Sequence, residues 1–175
     1  KKEYDELAKV FMEDISVKNR TVGVGKVSKE DATALCAVGP TARGSGVPFD
    51  IRSTGHSIYG KLGFEPIVEE GGDCYARALV RVKEVYQSME MIQKIIAEMP
   101  EGEISVNVKG KPEGEFMARV EQPRGESCYY VKGNGTKNLE RMRIRTPTNI
   151  NVPFLVSALA GCELADVPVI VLSID

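Results

Sequence analysis

Cysteine and histidine are scarce in this 175-residue chain, which has four cysteines and a single histidine. No two cysteines have the Cys-x-x-Cys spacing of a structural metal site, and His56 is the only imidazole in the sequence. We therefore predict no metal site built from these residues. Cys36 and Cys162 lie in apolar stretches and are predicted to be small, reduced core residues, as is Cys74 at a helix start.

Long apolar runs and blocks of like charge are also missing. No run approaches the roughly 18 residues of a membrane-spanning helix, and the formal net charge is −2. No basic block with interleaved aromatic residues occurs, which argues against a nucleic-acid partner. The sequence has no Walker-type Gly-Lys-Ser, and His56 has no convincing nucleophile partner. A chain of this length is predicted to form one domain, residues 1–175.

Two arginines and one carboxylate occur in the glycine-rich segment Gly39–Arg52. The glycines permit a backbone path that can direct Arg43, Asp50 and Arg52 into an enclosed site. There, two guanidinium groups would keep a buried carboxylate ionised. One alternative is an ordinary ion pair on a surface loop, and another is a structural lock between this loop and the helices.

Hydrophobic periodicity predicts three helices in the first part of the chain. The apolar residues of Tyr4–Val17 recur at near-helical spacing, and Ser28 resembles an N-cap that begins a short helix through Leu35. The strongest pattern spans Asp73–Met99, where apolar residues alternate at steps of three and four. Asp73 is its predicted cap.

Arg77 and Arg81 lie four residues apart near the start of the longest predicted helix. Arg77 is expected either to form a structural ion pair with Asp73 or to line a pocket. Nothing further in the sequence marks Arg81.

The pattern after the long helix changes to short alternating segments separated by glycine and asparagine. The predicted strands are Ile104–Val108, Phe116–Val120, Ser127–Val131 and Leu139–Arg145. The clearest turn is predicted at Lys132–Gly135, while Glu121, Arg124 and Glu126 are predicted to lie between two strands. A helix is predicted at Val152–Ala160, before the apolar run Val167–Ile174. These patterns together predict an α+β fold.

Five separate motifs follow one another along the chain. They are Arg20–Gly25, Gly39–Arg52, Gly72–Arg77, Glu121–Glu126 and Ala165–Asp175. The second has the pattern GPxARxSGxxxDxR, and the five together cover essentially the whole chain. In these motifs the sequence resembles the large subunits of membrane-bound, energy-converting nickel-iron hydrogenases and their relative, the quinone-pocket subunit of respiratory complex I. The resemblance implies a mainly helical bundle with one long central helix and a small antiparallel β-sheet or hairpins.

Hydrogenases of this family bind nickel and iron through two Cys-x-x-Cys pairs, and neither pair occurs in residues 1–175. The resemblance places the first pair before Lys1 and the second just after Asp175. We therefore expect the chain to be an internal fragment of a larger subunit, inactive by itself. A metal-free interaction domain is the alternative.

Two features favour the hydrogenase branch of the family. Complex I subunits usually carry a long insertion where this chain has only Gly102–Val120, and they tend to carry a Gly-Phe-Ala-His-like stretch at Thr148–Asn151. The expected parent is therefore a hydrogenase that couples proton reduction or hydrogen oxidation to ion translocation. The alternative is a complex I-like subunit that reduces quinone or another cofactor-linked dehydrogenase.

The resemblance also assigns roles to individual residues. The residues expected in a catalytic proton path are Asp50, Arg43 and Arg52, and those expected to bind cofactor are Arg77, Glu121 and Arg124. It implies no cofactor in the fragment, but a nickel-iron centre in an intact hydrogenase or a quinone in a complex I-like parent. The implied partners are a small iron-sulfur subunit and membrane subunits, which would hold the chain at the cytoplasmic face of the membrane.

Overall fold

The computed structural model describes residues 1–55 and 57–175, so His56 lies outside the described residues. The helices are α1 (Lys2–Glu13), α2 (Ile15–Thr21), α3 (Lys29–Ala34), α4 (Pro40–Arg43), α5 (Tyr59–Leu62), α6 (Cys74–Glu98), α7 (Pro147–Leu159) and α8 (Val167–Ile174). The strands are β1 (Glu113–Gln122), β2 (Gly125–Asn134) and β3 (Leu139–Arg145). Two 3-10 helices, Ile51–Thr54 and Leu164–Asp166, complete the described elements. The predicted α+β fold is confirmed.

Helix α6 is the long central helix, and Asp73 is its N-cap as predicted. The Asp73 Oδ1 atom accepts a hydrogen bond from the backbone N–H of Ala76 at 2.8 Å, which caps the helix. The Oδ2 atom accepts from the backbone N–H of Gly23 at 2.7 Å. One carboxylate therefore both begins α6 and joins it to the connection that follows α2.

Replacing Asp73 with alanine is expected to lower the free energy of unfolding by about 1–2 kcal/mol, the cost of losing an N-cap. We expect a decrease at the upper end of this range, because removing the carboxylate also leaves the Gly23 N–H without its hydrogen-bond acceptor. Urea unfolding followed by circular dichroism measures it. The matched control is Asp14→Ala, which removes the exposed cap of α2 and should cost less. An equal or larger loss in the control would contradict this role for Asp73.

The main core forms where α4 and α8 pack against α6 and where α7 packs against α8. Gly44 is the C-cap of α4 and lies directly against α6. A Cβ added at this position would lie 2.8–3.0 Å from side-chain and backbone atoms of Arg77. Only glycine permits this approach without displacement. The buried apolar residues of the core are Val27, Ala32, Ala37, Ala42, Cys74, Phe154, Ala158, Ile170 and Ile174.

The sheet is antiparallel with strand order β1-β2-β3. Phe116 of β1 lies opposite Val131 of β2, which lies opposite Met142 of β3. The predicted strands Phe116–Val120, Ser127–Val131 and Leu139–Arg145 are thus confirmed. Within the described part of the chain, no helix combines the length and apolar character needed to cross a bilayer.

Three predicted helices have different bounds in the structure. The predicted helix Tyr4–Val17 is divided at Asp14, whose extended backbone ends α1 and whose carboxylate caps α2 through Ser16 and Val17. Local capping therefore competes successfully with the continuous apolar pattern. The short helix after Ser28 is confirmed, with Ala34 as its last residue. Helix α7 begins at Pro147, earlier than predicted, because Thr146 provides a cap.

The predicted strand Ile104–Val108 is wrong. Its residues belong to no strand in the described structure, and Ile104, Val106 and Val108 are all at least 80% exposed. Alternating apolar residues form a strand only where a neighbouring backbone completes the hydrogen bonds, and β1 begins later, at Glu113.

The turns of the sheet differ from those predicted. Glu121 and Glu126 belong to β1 and β2 and lie opposite each other, so of the three residues predicted between strands only Arg124 lies in the turn. The β2–β3 connection occupies residues 135–138, later than the predicted Lys132–Gly135. A register shift at Lys132 and Gly133 lets β2 continue to Asn134.

The cysteine predictions are partly confirmed. Cys74 is buried in the core, and Cys162 packs at its edge. Cys36 is instead exposed, which corrects its assignment to the core. It follows the end of α3 with a φ of 54°, a left-handed conformation that turns the chain before the buried residues Ala37 and Val38.

Candidate functional site

A buried cluster of charged side chains forms where four segments of the chain meet. Helix α4 ends at Arg43, and the following loop leads to Asp50, which begins the 3-10 helix that contains Arg52. Helix α6 contributes Glu84, and strand β1 contributes Glu121. We call these five residues the charged cluster.

Asp50 is fully buried and lies between the two arginines. Arg52 donates from Nε to Oδ1 at 2.9 Å and from Nη2 to Oδ2 at 2.7 Å, which is a bidentate pair. The backbone N–H of Arg52 also donates to Oδ1 at 2.9 Å. Arg43 Nη1 lies 2.8 Å from Oδ2. The structure therefore brings together Arg43, Asp50 and Arg52, as predicted from the sequence.

Arg43 joins three carboxylates that come from three different parts of the chain. Besides Asp50, its Nη1 atom lies 3.0 Å from Glu121 Oε1, and its Nη2 atom lies 2.7 Å from Glu84 Oε1. The Arg43 side chain is only 1% exposed. Its planar fork of donors suits this bridging, which a lysine ammonium could not reproduce in the same geometry.

Arg52 has a second environment on its other side. Its guanidinium carbon lies 4.3 Å from the centre of the Phe64 ring, within cation–π distance. Burial lowers the pKa of Arg52, but the hydrogen bond and charge of Asp50, with Glu84 and Glu121, outweigh this effect and raise it. Arg52 therefore remains a cation in the cluster.

The five residues of the cluster are three acids and two bases, and Asp50, Glu84 and Glu121 form ion pairs with Arg43 and Arg52. If all five were ionised, one negative charge would be uncompensated. Burial raises the pKa of Glu121 from 4.5 to about 7, against the lowering effect of Arg43 and with a further increase from Asp50. The cluster can therefore hold a proton near neutral pH.

A cavity of about 470 Å³ opens beside the cluster. Its lining residues are Arg52, Arg81, Glu84, Val85, Ser88, Glu121, Gln122, Pro123 and Asp175. Arg81 donates from Nη1 to the carbonyl of Ser173 at 2.8 Å, and burial lowers its pKa. This cavity combines an apolar wall with several converging charged groups, as ligand pockets commonly do.

The other two predicted cofactor-binding residues lie away from the centre of the cluster. Arg77 is fully buried and donates to the carbonyls of Gly72 at 3.0 Å and Gly25 at 3.1 Å. Its Nε donates to Ser173 Oγ at 3.0 Å, so its hydrogen bonds join four segments of the core. Arg124, in the turn after β1, pairs with Asp175 at 3.0 Å near the cavity.

Sequence reasoning missed Glu84 and Arg81. The signal was present in α6, because residues 77, 81 and 84 are four and three positions apart and therefore lie along one side of the helix. The spacing of Arg77 and Arg81 is visible in the sequence, and the acidic residue one turn further on continues it. The role of Glu84 depends on Arg43, however, which lies far away in sequence.

No metal-binding group is formed by the described residues themselves. Among residues 1–55 and 57–175, no three or more His, Cys, Asp or Glu side chains are placed to hold a metal ion. The charged cluster itself offers ion pairs and a site for proton binding.

Comparison with known proteins gives relatives of two kinds. The family model described as "Respiratory-chain NADH dehydrogenase, 49 Kd subunit" matches residues 1–111 and 107–175. The carbon monoxide-induced hydrogenase of Rhodospirillum rubrum is 39% identical over 173 residues, which are 98% of this chain and 48% of that protein. An NADH-quinone oxidoreductase subunit of Koribacter versatilis is 38% identical over 185 residues, covering 89% of this chain and 46% of the relative.

A third relative is the membrane-bound hydrogenase subunit alpha of Pyrococcus furiosus, which is 37% identical over 184 residues. The match covers 95% of this chain and 43% of that subunit. The chain spans about half the length of the curated relatives it matches.

Proposed function

Because this chain belongs to the family of the 49 kDa subunit of respiratory-chain NADH dehydrogenase, we propose that it forms part of the catalytic large subunit of a membrane-bound, energy-converting hydrogenase. Such an enzyme would couple proton reduction or hydrogen oxidation to ion translocation. The observation that carries a proton-handling role is the buried cluster, with three carboxylates facing two arginines beside a cavity.

The choice of the hydrogenase branch depends on the connection between α6 and β1. Only residues 99–112 separate these two elements, where the complex I branch usually has a long insertion. A complex I-like subunit that reduces quinone is the second candidate, and it is favoured by the NADH-quinone oxidoreductase relative at 38% identity. Both candidates require proton transfer next to a redox group.

In this proposal, the chain supplies the proton-handling wall of the site rather than the metal ligands. The cysteine ligands of a nickel-iron centre would lie outside residues 1–175, and the nickel-iron centre would supply hydrogen activation when bound. The partners would be a small iron-sulfur subunit and membrane subunits, with the chain at the cytoplasmic face. Arg77, Glu121 and Arg124 remain the proposed cofactor-contacting residues.

The test is to purify the intact complex that contains this chain and to measure its nickel content and two activities. We expect one nickel per copy of the subunit, together with hydrogen uptake or evolution. A complex without nickel that reduces quinone would overturn the hydrogenase assignment in favour of the second candidate. A subunit with neither nickel nor oxidoreductase activity would overturn both and leave an interaction domain.

Asp50→Asn in that complex is expected to lower turnover about tenfold or more while assembly remains intact, because Asp50 holds Arg43 and Arg52 in place beside the cavity and small displacements of such groups are costly. Asparagine cannot balance both guanidinium groups, so the cluster loses the charge around which it is arranged. The control is Asp166→Asn, which removes a surface pair with Arg20. Normal turnover in Asp50→Asn would exclude this role.

A further inference from the structure

The charged cluster contains three carboxylates, but their contacts differ. Asp50 accepts hydrogen bonds from the side chain and the backbone of Arg52 and pairs with Arg43 as well. It is fully buried and is not among the residues that line the cavity. These charge-assisted contacts engage both of its carboxylate oxygens and leave it no direct route for proton exchange with the cavity.

Glu84 has two strong cationic neighbours and is the more exposed of the two glutamates. Its Oε1 atom lies 2.7 Å from Arg43 Nη2 and 3.2 Å from Arg52 Nη2. Its side chain is 14% exposed, so it is accessible to water as well as to both arginines.

Glu121 is placed differently from both of these acids. Its side chain is 3% exposed and lines the cavity. Its ion-pair contact in the described structure is with Arg43 Nη1 at 3.0 Å. That same nitrogen also lies 2.8 Å from Asp50 and 3.3 Å from the carbonyl of Phe49. Glu121 therefore shares a donor that Asp50 already engages at the shorter distance.

Resting on the proposed function of this site, we propose that Glu121 is the acid that exchanges a proton with the cavity, whereas Asp50 is a positioning residue that fixes both arginines. In the protonated state, the cluster has two positive and two negative charges. When the Glu121 O–H bond breaks, its proton passes to a base in the cavity and the carboxylate that remains is held by Arg43. In the reverse step, an acid in the cavity gives its proton to the Glu121 carboxylate, and the O–H bond forms again.

Charged groups face Glu121 from every element packed around it. They are Arg43 of α4, Asp50 just before the 3-10 helix, Arg52 within that helix, Arg81 and Glu84 of α6, Glu126 opposite on β2, and Asp175 after α8. The arginines oppose the proton and the carboxylates favour it, while burial favours it most and raises the Glu121 pKa to about 7. As pH rises through that value, the protonated fraction of Glu121 falls.

The test is a pH titration of the intact complex by infrared difference spectroscopy, from about pH 5 to about pH 9, which brackets the range of a raised carboxyl pKa. We expect the C=O band of a protonated carboxylic acid to disappear with a midpoint near 7. Glu121→Gln should remove this band. The matched control is Glu126→Gln, another buried glutamate of the same sheet that is paired with Arg119 and Arg145; it should leave the band unchanged.

Glu121→Asp keeps a carboxyl group and guards against a failure of the glutamine variant to assemble. In this variant the band should persist with a shifted midpoint, and the pH profile of turnover should shift in the same direction. A band that survives unchanged in Glu121→Gln or Glu121→Asp overturns the proposal, as does a band that Glu84→Gln alone removes. The spectrum is independent of the reaction catalysed, so a complex that lacks nickel but retains the titrating band would contradict only the hydrogenase assignment.

Discussion

Replacing Arg43 with leucine is expected to lower the free energy of unfolding by about 3–5 kcal/mol, because it removes one partner from a buried ionic network. Asp50 and Glu121 would lose a guanidinium contact at 2.8 and 3.0 Å in an interior with almost no access to water. Glu84 would lose its contact at 2.7 Å. Urea unfolding measures the loss.

The matched control for this variant is Arg119→Leu. Arg119 also pairs with a buried glutamate, Glu126, but its side chain is 44% exposed and Glu126 keeps its contact with Arg145 at 2.9 Å. This loss should be less than about 1 kcal/mol. Equal effects of the two substitutions would show that Arg43 does not hold the cluster together.

The cost of Arg43→Leu is also expected to depend on pH. Burial already raises the pKa of Glu121 to about 7 in the folded protein, and Arg43 opposes that rise. When a carboxyl group has a higher pKa in the folded than in the unfolded protein, the free energy of unfolding falls as pH rises from the unfolded-state pKa towards the folded-state pKa. Without Arg43 the pKa rises further, so the variant should be less destabilised at about pH 5 than at about pH 8.

Gly39→Ala is expected to lower the free energy of unfolding by about 2–5 kcal/mol, from left-handed backbone strain together with steric overlap. Gly39 has a φ of 69°, and an added Cβ would lie 2.4 Å from the Arg124 carbonyl oxygen and 2.5 Å from the Gly125 Cα. Both are backbone atoms, so no side-chain rotation can relieve the overlap. The hairpin that carries Glu121 must then move away from the start of α4.

Gly23→Ala separates the two contributions to this effect. Gly23 has a similar φ of 75°, but an added Cβ would have no atom within 4 Å. It should therefore cost only the backbone strain, about 1–2 kcal/mol. The Gly39 variant should also shift the titration of Glu121, because its contact with Arg43 depends on the position of β1. Similar losses in the two variants would contradict the proposed close contact between α4 and the hairpin.

Local sequence determined much of the secondary structure. The alternation of apolar residues and the cap at Asp73 specified the long helix α6, because both signals act within a few residues. The same locality explains the failure at Ile104–Val108, whose alternation had no neighbouring strand to complete it. It also explains the break at Asp14, where a strong cap interrupted a pattern that looked continuous.

From the sequence by itself, Arg43, Asp50 and Arg52 were predicted to meet, because they lie within one short segment, while a surface ion pair stayed an alternative. Only the tertiary structure decided that Glu84 and Glu121 complete the cluster, since these acids come from a helix and a strand distant in the chain. It likewise decided that burial raises the pKa of the Glu121 carboxyl. A pKa depends on burial and on charges within a few ångströms, and neither quantity can be obtained until the chain is folded.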